Sequence, residues 1–188
     1  MESVFDFFDK YMPLSLEAQN IILNTFDEVH HKKGEIIITE GKLNPYLFVI
    51  KKGIVRGFIA TEHGERTVTL WQENEPFGEI NEQLAVRSYQ VLEDSVMYRF
   101  NAKLFRKLFD TNLEIGTLGR LMLEKYFHKN EISKHQYDKL TVLQKYMLFV
   151  SERPGMIHRV KFIHIASYLN MSPETFSRIL STMVKFDE

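Results

Sequence analysis

Between Leu14 and Val29, apolar side chains fall at Leu14, Leu16, Ala18, Ile21, Ile22 and Phe26, a helical rather than alternating spacing that predicts one short amphipathic helix. The texture changes at Lys33. From there to Phe100, short runs of Ile, Val, Phe and Tyr are broken by Gly34, Gly41, Asn44-Pro45, Gly53, Gly57, Gly64 and Pro76. That is the rhythm of an all-β roll, with strands predicted near 35–39, 46–51, 54–60, 66–71, 89–93 and 95–100. In Thr61-Glu-His-Gly64 the glycine supplies the left-handed backbone that a hairpin between two of these strands requires.

After Phe100 the pattern turns helical. Asn101 is placed to cap a helix through Leu104, Phe105 and Leu108. From about Asn112 to Tyr137 no proline interrupts, and Ile115, Leu118, Leu121, Met122, Tyr126 and Ile132 form an imperfect stripe. This predicts a long helix packed either on the roll of its own chain or on a second copy. Another apolar helix spans Leu140 to Val150 and is closed by Arg153-Pro-Gly155. Two further helices follow: Phe162, Ile165, Ala166 and Leu169 fall at i, i+3, i+4, i+7, and after Asn170-Met171-Ser172 the set Phe176, Ile179, Leu180, Met183 and Val184 repeats that spacing. Ser172 is a good N-cap, and Pro173 sits at the first helical position, where its missing N–H is not needed.

Composition narrows the function classes. The 188 residues contain no Cys, which excludes disulfides, thiolate metal sites and thiol catalysis. No apolar run approaches the roughly 20 residues of a membrane span, and the first residues carry no secretion signal, so a cytoplasmic protein without a membrane partner is expected. The net charge of -1 hides an asymmetry, about -6 over residues 1–100 and +5 over 101–188, which points the second half toward a polyanion. No nucleophile motif, P-loop, zinc-protease or dinucleotide fingerprint occurs, so neither catalytic residues nor an enzyme is expected. His30 and His31 are adjacent and so point to different sides of any regular element, while His128 and His135, seven apart, can share a helix face without a carboxylate partner at ligand spacing, and no metal site is expected.

The last helix presents Glu174, Ser177, Arg178 and Ser181 on one face above an apolar underside. A major-groove reader needs such a face: Arg178 matches a guanine edge, and Glu174 can accept from a cytosine amine. The alternative is a helical hairpin whose polar face is merely solvated. The basic neighbours Arg153, Arg159, Lys161 and Lys185 weigh toward DNA, because phosphate contacts need them.

The run Ile165-Ala166-Ser167-Tyr168-Leu169-Asn170-Met171-Ser172-Pro173-Glu174-Thr175-Phe176-Ser177-Arg178-Ile179-Leu180 resembles the helix-turn-helix of the Crp/Fnr transcription regulators. Gly34 to Gly41, Tyr46 to Gly53 and Phe77-Gly78-Glu79-Ile80 resemble, in order, the strands and the F-G-E start of a cyclic-nucleotide-binding β-roll. The resemblance covers about residues 20 to 184. It implies an α+β chain: an antiparallel β-roll sensor over 1–111, an interface helix over 112–138 and a helix-turn-helix DNA-binding domain over 139–188. It also implies double-stranded DNA, a second copy of the chain and RNA polymerase as partners. It implies base contacts by Glu174 and Arg178; with Ser172, Thr175 and Ser177 of the same motif or face, and Lys161 as a phosphate contact, these are the expected DNA-binding residues. Two departures stand out: Asn170 replaces the usual turn glycine, which Asn tolerates, and Pro173 replaces a residue that helps read DNA in many members. The family's two-stranded wing is expected to be absent, since Glu188 follows the last helix directly.

The resemblance assigns an effector site to Gly78, Glu79, Arg87 and Ser88, with Asn130 and Glu131 at the positions that contact adenine in ligand-binding relatives. A helix N-terminus plus an arginine is a sound anion site. Here Arg87 follows Glu79 by only eight residues, and Glu73, Glu75 and Glu82 add negative charge nearby. Cyclic AMP is therefore disfavoured as the cofactor, and a different small effector or none is expected. Arg87 has an alternative use as an ion pair with Glu79 or Glu82. The competing reading for the whole chain is a ligand-binding module of the same fold whose truncated helix-turn-helix no longer reads DNA.

Overall fold

The structure, a computed structural model, describes residues 4–78 and 84–184, with the side chains of 129–138 and 182–184 outside the described set. Among the described residues, eight strands form two antiparallel four-stranded sheets. The first contains β1 (Phe26–His31), β8 (Ser95–Asn101), β3 (Tyr46–Lys52) and β6 (Pro76–Gly78) in that spatial order. The second contains β2 (Ile36–Ile38), β7 (Ser88–Val91), β4 (Val55–Thr61) and β5 (Gly64–Trp71). Their inner faces share a core of Ile38, Phe48, Ile50, Val55, Phe77, Tyr89, Val91 and Met97. β4 and β5 join through a two-residue turn in which Thr61 pairs with Gly64 at φ 109°, the predicted hairpin.

Two strands and a helix boundary depart from expectation. The first amphipathic helix does not run to Val29. It is α2 (Leu16–Leu23), started by the Ser15 side chain accepting from the Ala18 N–H and ended at Asn24. Phe26 then begins β1, paired with β8 from Phe26↔Phe100 to His31↔Ser95. Its ring packs 5.2 Å from both Tyr98 and Phe100, so long-range pairing overrides the local helical spacing. β6 is a three-residue strand below what texture resolves. A short α1 (Val4–Phe8) was also not anticipated, although Val4, Phe7 and Phe8 are buried.

On the outer side of the first sheet, α1 and α2 meet α3 (Ala102–Thr111) and α4 (Leu113–Lys139) around Val49, Tyr98, Phe100 and Phe105. Asn101 caps α3 by accepting from the Leu104 N–H at 3.0 Å, as predicted. Ile115 and Leu118 of α4 are fully buried in this cluster, so the first turns of the stripe belong to the chain's own core. Leu123, Tyr126 and Phe127, further along, are exposed. The Ile132 position lies outside the described side chains.

The C-terminal helices are α5 (Val142–Glu152), α6 (Met156–Arg159), α7 (Phe162–Tyr168) and α8 (Pro173–Val184). Thr141 and Gln144 form a reciprocal capping box at the start of α5. These helices close their core on two residues of the roll, Ile54 and Leu70, which join Phe149, Met156, Ile165, Ala166 and Phe176. Full burial of a side chain of that size contributes about 1.5–3 kcal/mol, so this seam holds the helices against the roll.

Candidate nucleic-acid interface and sensor roll

The turn between α7 and α8 has the geometry the sequence demands. Asn170 takes φ 57°, and the N–H of Met171 bonds to the carbonyl of Ala166 at 2.9 Å. Ser172 then caps α8 by accepting from the Thr175 N–H at 3.2 Å. Phe176, 1% exposed, anchors the underside of α8 between Phe162 at 4.6 Å and Tyr146 at 5.4 Å. The opposite face is solvent-exposed at Ser172, Glu174, Ser177, Arg178 and Ser181. Thr175 is half-buried and its hydroxyl accepts from Ser172 at 3.1 Å and from Arg178 Nη2 at 3.3 Å. The Glu174 carboxyl lies below the usual range, chiefly because its own backbone N–H and the Ser172 hydroxyl bond to it at the helix start. Lys161 is exposed at the N-cap of α7. Five of the six residues expected to meet DNA thus share one exposed helix or its cap, and Lys161 stands at the start of the helix before it. Lys185 lies outside the described residues.

Arg153 and Arg159, expected to serve phosphate contacts, are engaged elsewhere. Arg153 donates to Glu75 through Nη1 and Nη2 at 3.0 and 3.1 Å, and Nη1 also reaches the Leu70 carbonyl at 3.1 Å. Arg159 donates to Glu73 at 2.5 and 3.0 Å and pairs with Glu93 as well. Burial pushes the Glu73 carboxyl up, but hydrogen bonds from Arg159 and from the Gly53 N–H outweigh it and hold the group below its ordinary range. Two of the acids expected to repel a phosphate in the roll are therefore neutralised by the C-terminal helices.

A third contact between roll and helices is centred on Arg56, which is 4% exposed. Its guanidinium stacks 4.2 Å from the Phe58 ring and donates to Gln90 at 2.8 Å and Thr67 Oγ1 at 3.4 Å, and it also pairs with Glu65. It faces His164 Nδ1 at 3.4 Å, which can accept only while His164 is neutral. Burial first, and then the charges of Arg56 and Lys161, lower the His164 pKa to about 4. Beside it the Thr67 N–H donates to Ser167 Oγ of α7 at 2.9 Å. Sequence reasoning missed this cluster. The available signal was a lone arginine in the apolar strand Val55-Arg56-Gly57-Phe58-Ile59.

Of the expected effector residues, Glu79 lies outside the described residues, as do the Asn130 and Glu131 side chains. Gly78 takes φ 112°, and a Cβ there would lie 2.7 Å from the Tyr46 carbonyl, so only glycine fits. The Arg87 stem and the Trp71 ring both pack on Gly57, where a Cβ would come within 2.9 Å of each. Arg87 gives Nη1 to Thr69 Oγ1 at 2.6 Å. Ser88 is buried and its hydroxyl oxygen accepts from the Glu40 N–H at 2.9 Å, which leaves its own proton to donate. An arginine with further donors beside a serine proton fits a small anion. Nothing in this set is particular to a purine. Among the described residues no group of His, Asp or Glu is arranged to hold a metal, and no helix is long and apolar enough to cross a membrane.

Residues 28–112 match the sequence model of the cyclic nucleotide-binding domain family. No curated protein matches the sequence. Among solved structures, FixK2 from Bradyrhizobium japonicum superposes with a TM-score of 0.72 at 18% identity, covering 86% of each chain. The c-di-GMP-responsive global regulator CLP of Xanthomonas campestris gives 0.69 at 13% identity over 92% of this chain and 93% of its own. The catabolite activator protein of Thermus thermophilus gives 0.55 at 21% identity over 94% and 87%. At these identities the likeness is one of fold.

Proposed function

We propose that this chain, whose residues 28–112 carry a cyclic nucleotide-binding domain and whose fold is that of Crp/Fnr regulators, is a DNA-binding transcription regulator of that type. In this reading residues 1–111 are the sensor roll, 112–138 the interface helix of a homodimer and 139–188 a helix-turn-helix domain. α8 enters the major groove with Glu174 and Arg178 on base edges, Thr175 and Ser177 beside them, and Lys161 on a phosphate. The roll senses a small effector through Gly78, Arg87 and Ser88, or the protein acts without one. RNA polymerase is the further partner such a regulator addresses. The observation that carries the reading is the α8 face: Ser172, Glu174, Ser177, Arg178 and Ser181 stand in solvent while Phe176 anchors the helix in the core. Selection of bound duplexes from a random pool tests it, with enrichment of an inverted repeat expected.

A further inference from the structure

We propose that Arg159 is a DNA-backbone contact held in reserve by the sensor roll, with the carboxylates of Glu73 and Glu93 occupying the place of a phosphate until DNA competes for the guanidinium. The inference rests on the DNA-binding reading above.

Three observations carry it. First, one guanidinium faces two carboxylates. Arg159 Nη1 and Nη2 clasp Glu73 at 3.0 and 2.5 Å, while Nη2 and Nε reach Glu93, the latter at 3.4 Å. This is the fork geometry by which arginine also takes a phosphate. Second, the acid that receives both Nη1 and Nη2 is fixed by the roll independently of the arginine. Glu73 Oε1 accepts from the Gly53 N–H at 2.8 Å, and Gly53, at φ 118°, sits in the turn between β3 and β4 with no room for a side chain against Ser95. Third, the Arg159 side chain is 32% exposed, whereas Arg153 on Glu75 is 12% exposed. Of the two clasps, that of Arg159 is the one water and a competing anion can reach. Arg159 ends α6 two residues before exposed Lys161, so a backbone that meets Lys161 passes within reach of its long side chain.

Docking of the helices on the roll does not depend on this clasp, because Ile54 and Leu70 supply the apolar seam, Arg153 a better-buried ion pair and the Thr67 N–H a bond to Ser167 of α7. Removing the acids therefore frees Arg159 without separating the two parts. Movement of the β3–β4 turn would act in the same direction, which gives the sensor a route to DNA affinity.

The test is a cycle of four full-length proteins: wild type, Glu73→Gln with Glu93→Gln, Arg159→Gln, and all three changes together. Gln keeps an oxygen for the Gly53 N–H, and all four should show the same circular dichroism. Duplex binding is titrated at several salt concentrations on a selected site. The acid-free protein should bind about three- to tenfold tighter than wild type, with a salt slope steeper by about one. In the Arg159→Gln background the same two changes should give no gain. Absence of a gain overturns the proposal, and so does a gain that survives Arg159→Gln, since it would come from general loss of negative charge. If none of the four proteins binds DNA, the DNA reading fails and the proposal falls with it. If wild type binds and the cycle fails, the proposal alone is overturned.

Discussion

Arg153 and Glu75 meet as a two-pronged pair, Nη1 to Oε2 at 3.0 Å and Nη2 to Oε1 at 3.1 Å, across the boundary between the C-terminal helices and the roll. Their side chains are 12% and 17% exposed, and the Leu70 carbonyl completes the arginine's shell. Removing one partner leaves a charge in a mostly desolvated place. Glu75→Gln or Arg153→Met should each lower the free energy of urea unfolding by about 1.5–3 kcal/mol. The double change should cost less than the sum of the two singles. Strict additivity would show that the pair is not energetically coupled.

His164 provides a pH signature. Its pKa is lowered to about 4 in the fold, while the unfolded chain titrates near 6.5, so the folded state binds fewer protons between those values. This contribution to stability is complete above about pH 6.5 and is lost as the pH falls from there toward 4. The loss is about 1–3 kcal/mol for a partly buried group facing Arg56 and Lys161, with Glu65 opposing them. His164→Gln should flatten that part of the stability profile between pH 7 and 4.5. Identical slopes for wild type and variant would contradict the assignment.

The exposed part of α4 carries the assembly prediction. Leu123, Tyr126 and Phe127 are 41%, 55% and 64% exposed, an apolar patch that a second copy covers in the proposed dimer. Sedimentation at micromolar concentration should show a homodimer, and Leu123→Glu with Phe127→Glu should give a folded 22.3 kDa monomer. Leu118→Glu should unfold the protein instead, because Leu118 is fully buried in its own chain. A wild-type monomer would overturn this assignment.

Cyclic AMP should bind poorly. The spacing from Glu79 to Arg87 is only eight residues, and Asn130-Glu131 fall where the resemblance would put the adenine contacts. A ligand at 100 times its Kd stabilises by about 2.7 kcal/mol, enough to raise the melting temperature by several degrees. Cyclic AMP near 1 mM should produce no such rise. A saturable micromolar Kd abolished by Arg87→Ala would contradict it.

What the sequence made legible was whatever is encoded locally. The α7–turn–α8 unit was readable because its stripe, its Asn170 turn and its Ser172-Pro173 start lie within about twenty residues and each has a fixed chemical meaning. Asn101 and the Thr61–Gly64 hairpin were readable for the same reason. β1 was not, because Phe26 and Val29 continue a helical spacing and become a strand only through pairing with β8, about seventy residues on. The engagement of Arg153 and Arg159 by the roll was not legible on similar grounds. A basic residue near a recognition helix looks like a phosphate contact, and acids 66 to 86 positions away in the chain reveal themselves only when the fold brings them together.

The DNA reading is tested most directly by selecting duplexes from a random pool and titrating the recovered site with wild type, Arg178→Ala and Lys161→Ala at two salt concentrations. An inverted repeat with half-sites about one helical turn apart is expected. Arg178→Ala should lose roughly 1–3 kcal/mol and relax preference at one position of each half-site. Lys161→Ala should weaken all sequences about equally and reduce the salt slope by about one. Recovery of no inverted repeat, with Arg178→Ala binding as wild type does, would contradict the claim that α8 reads DNA.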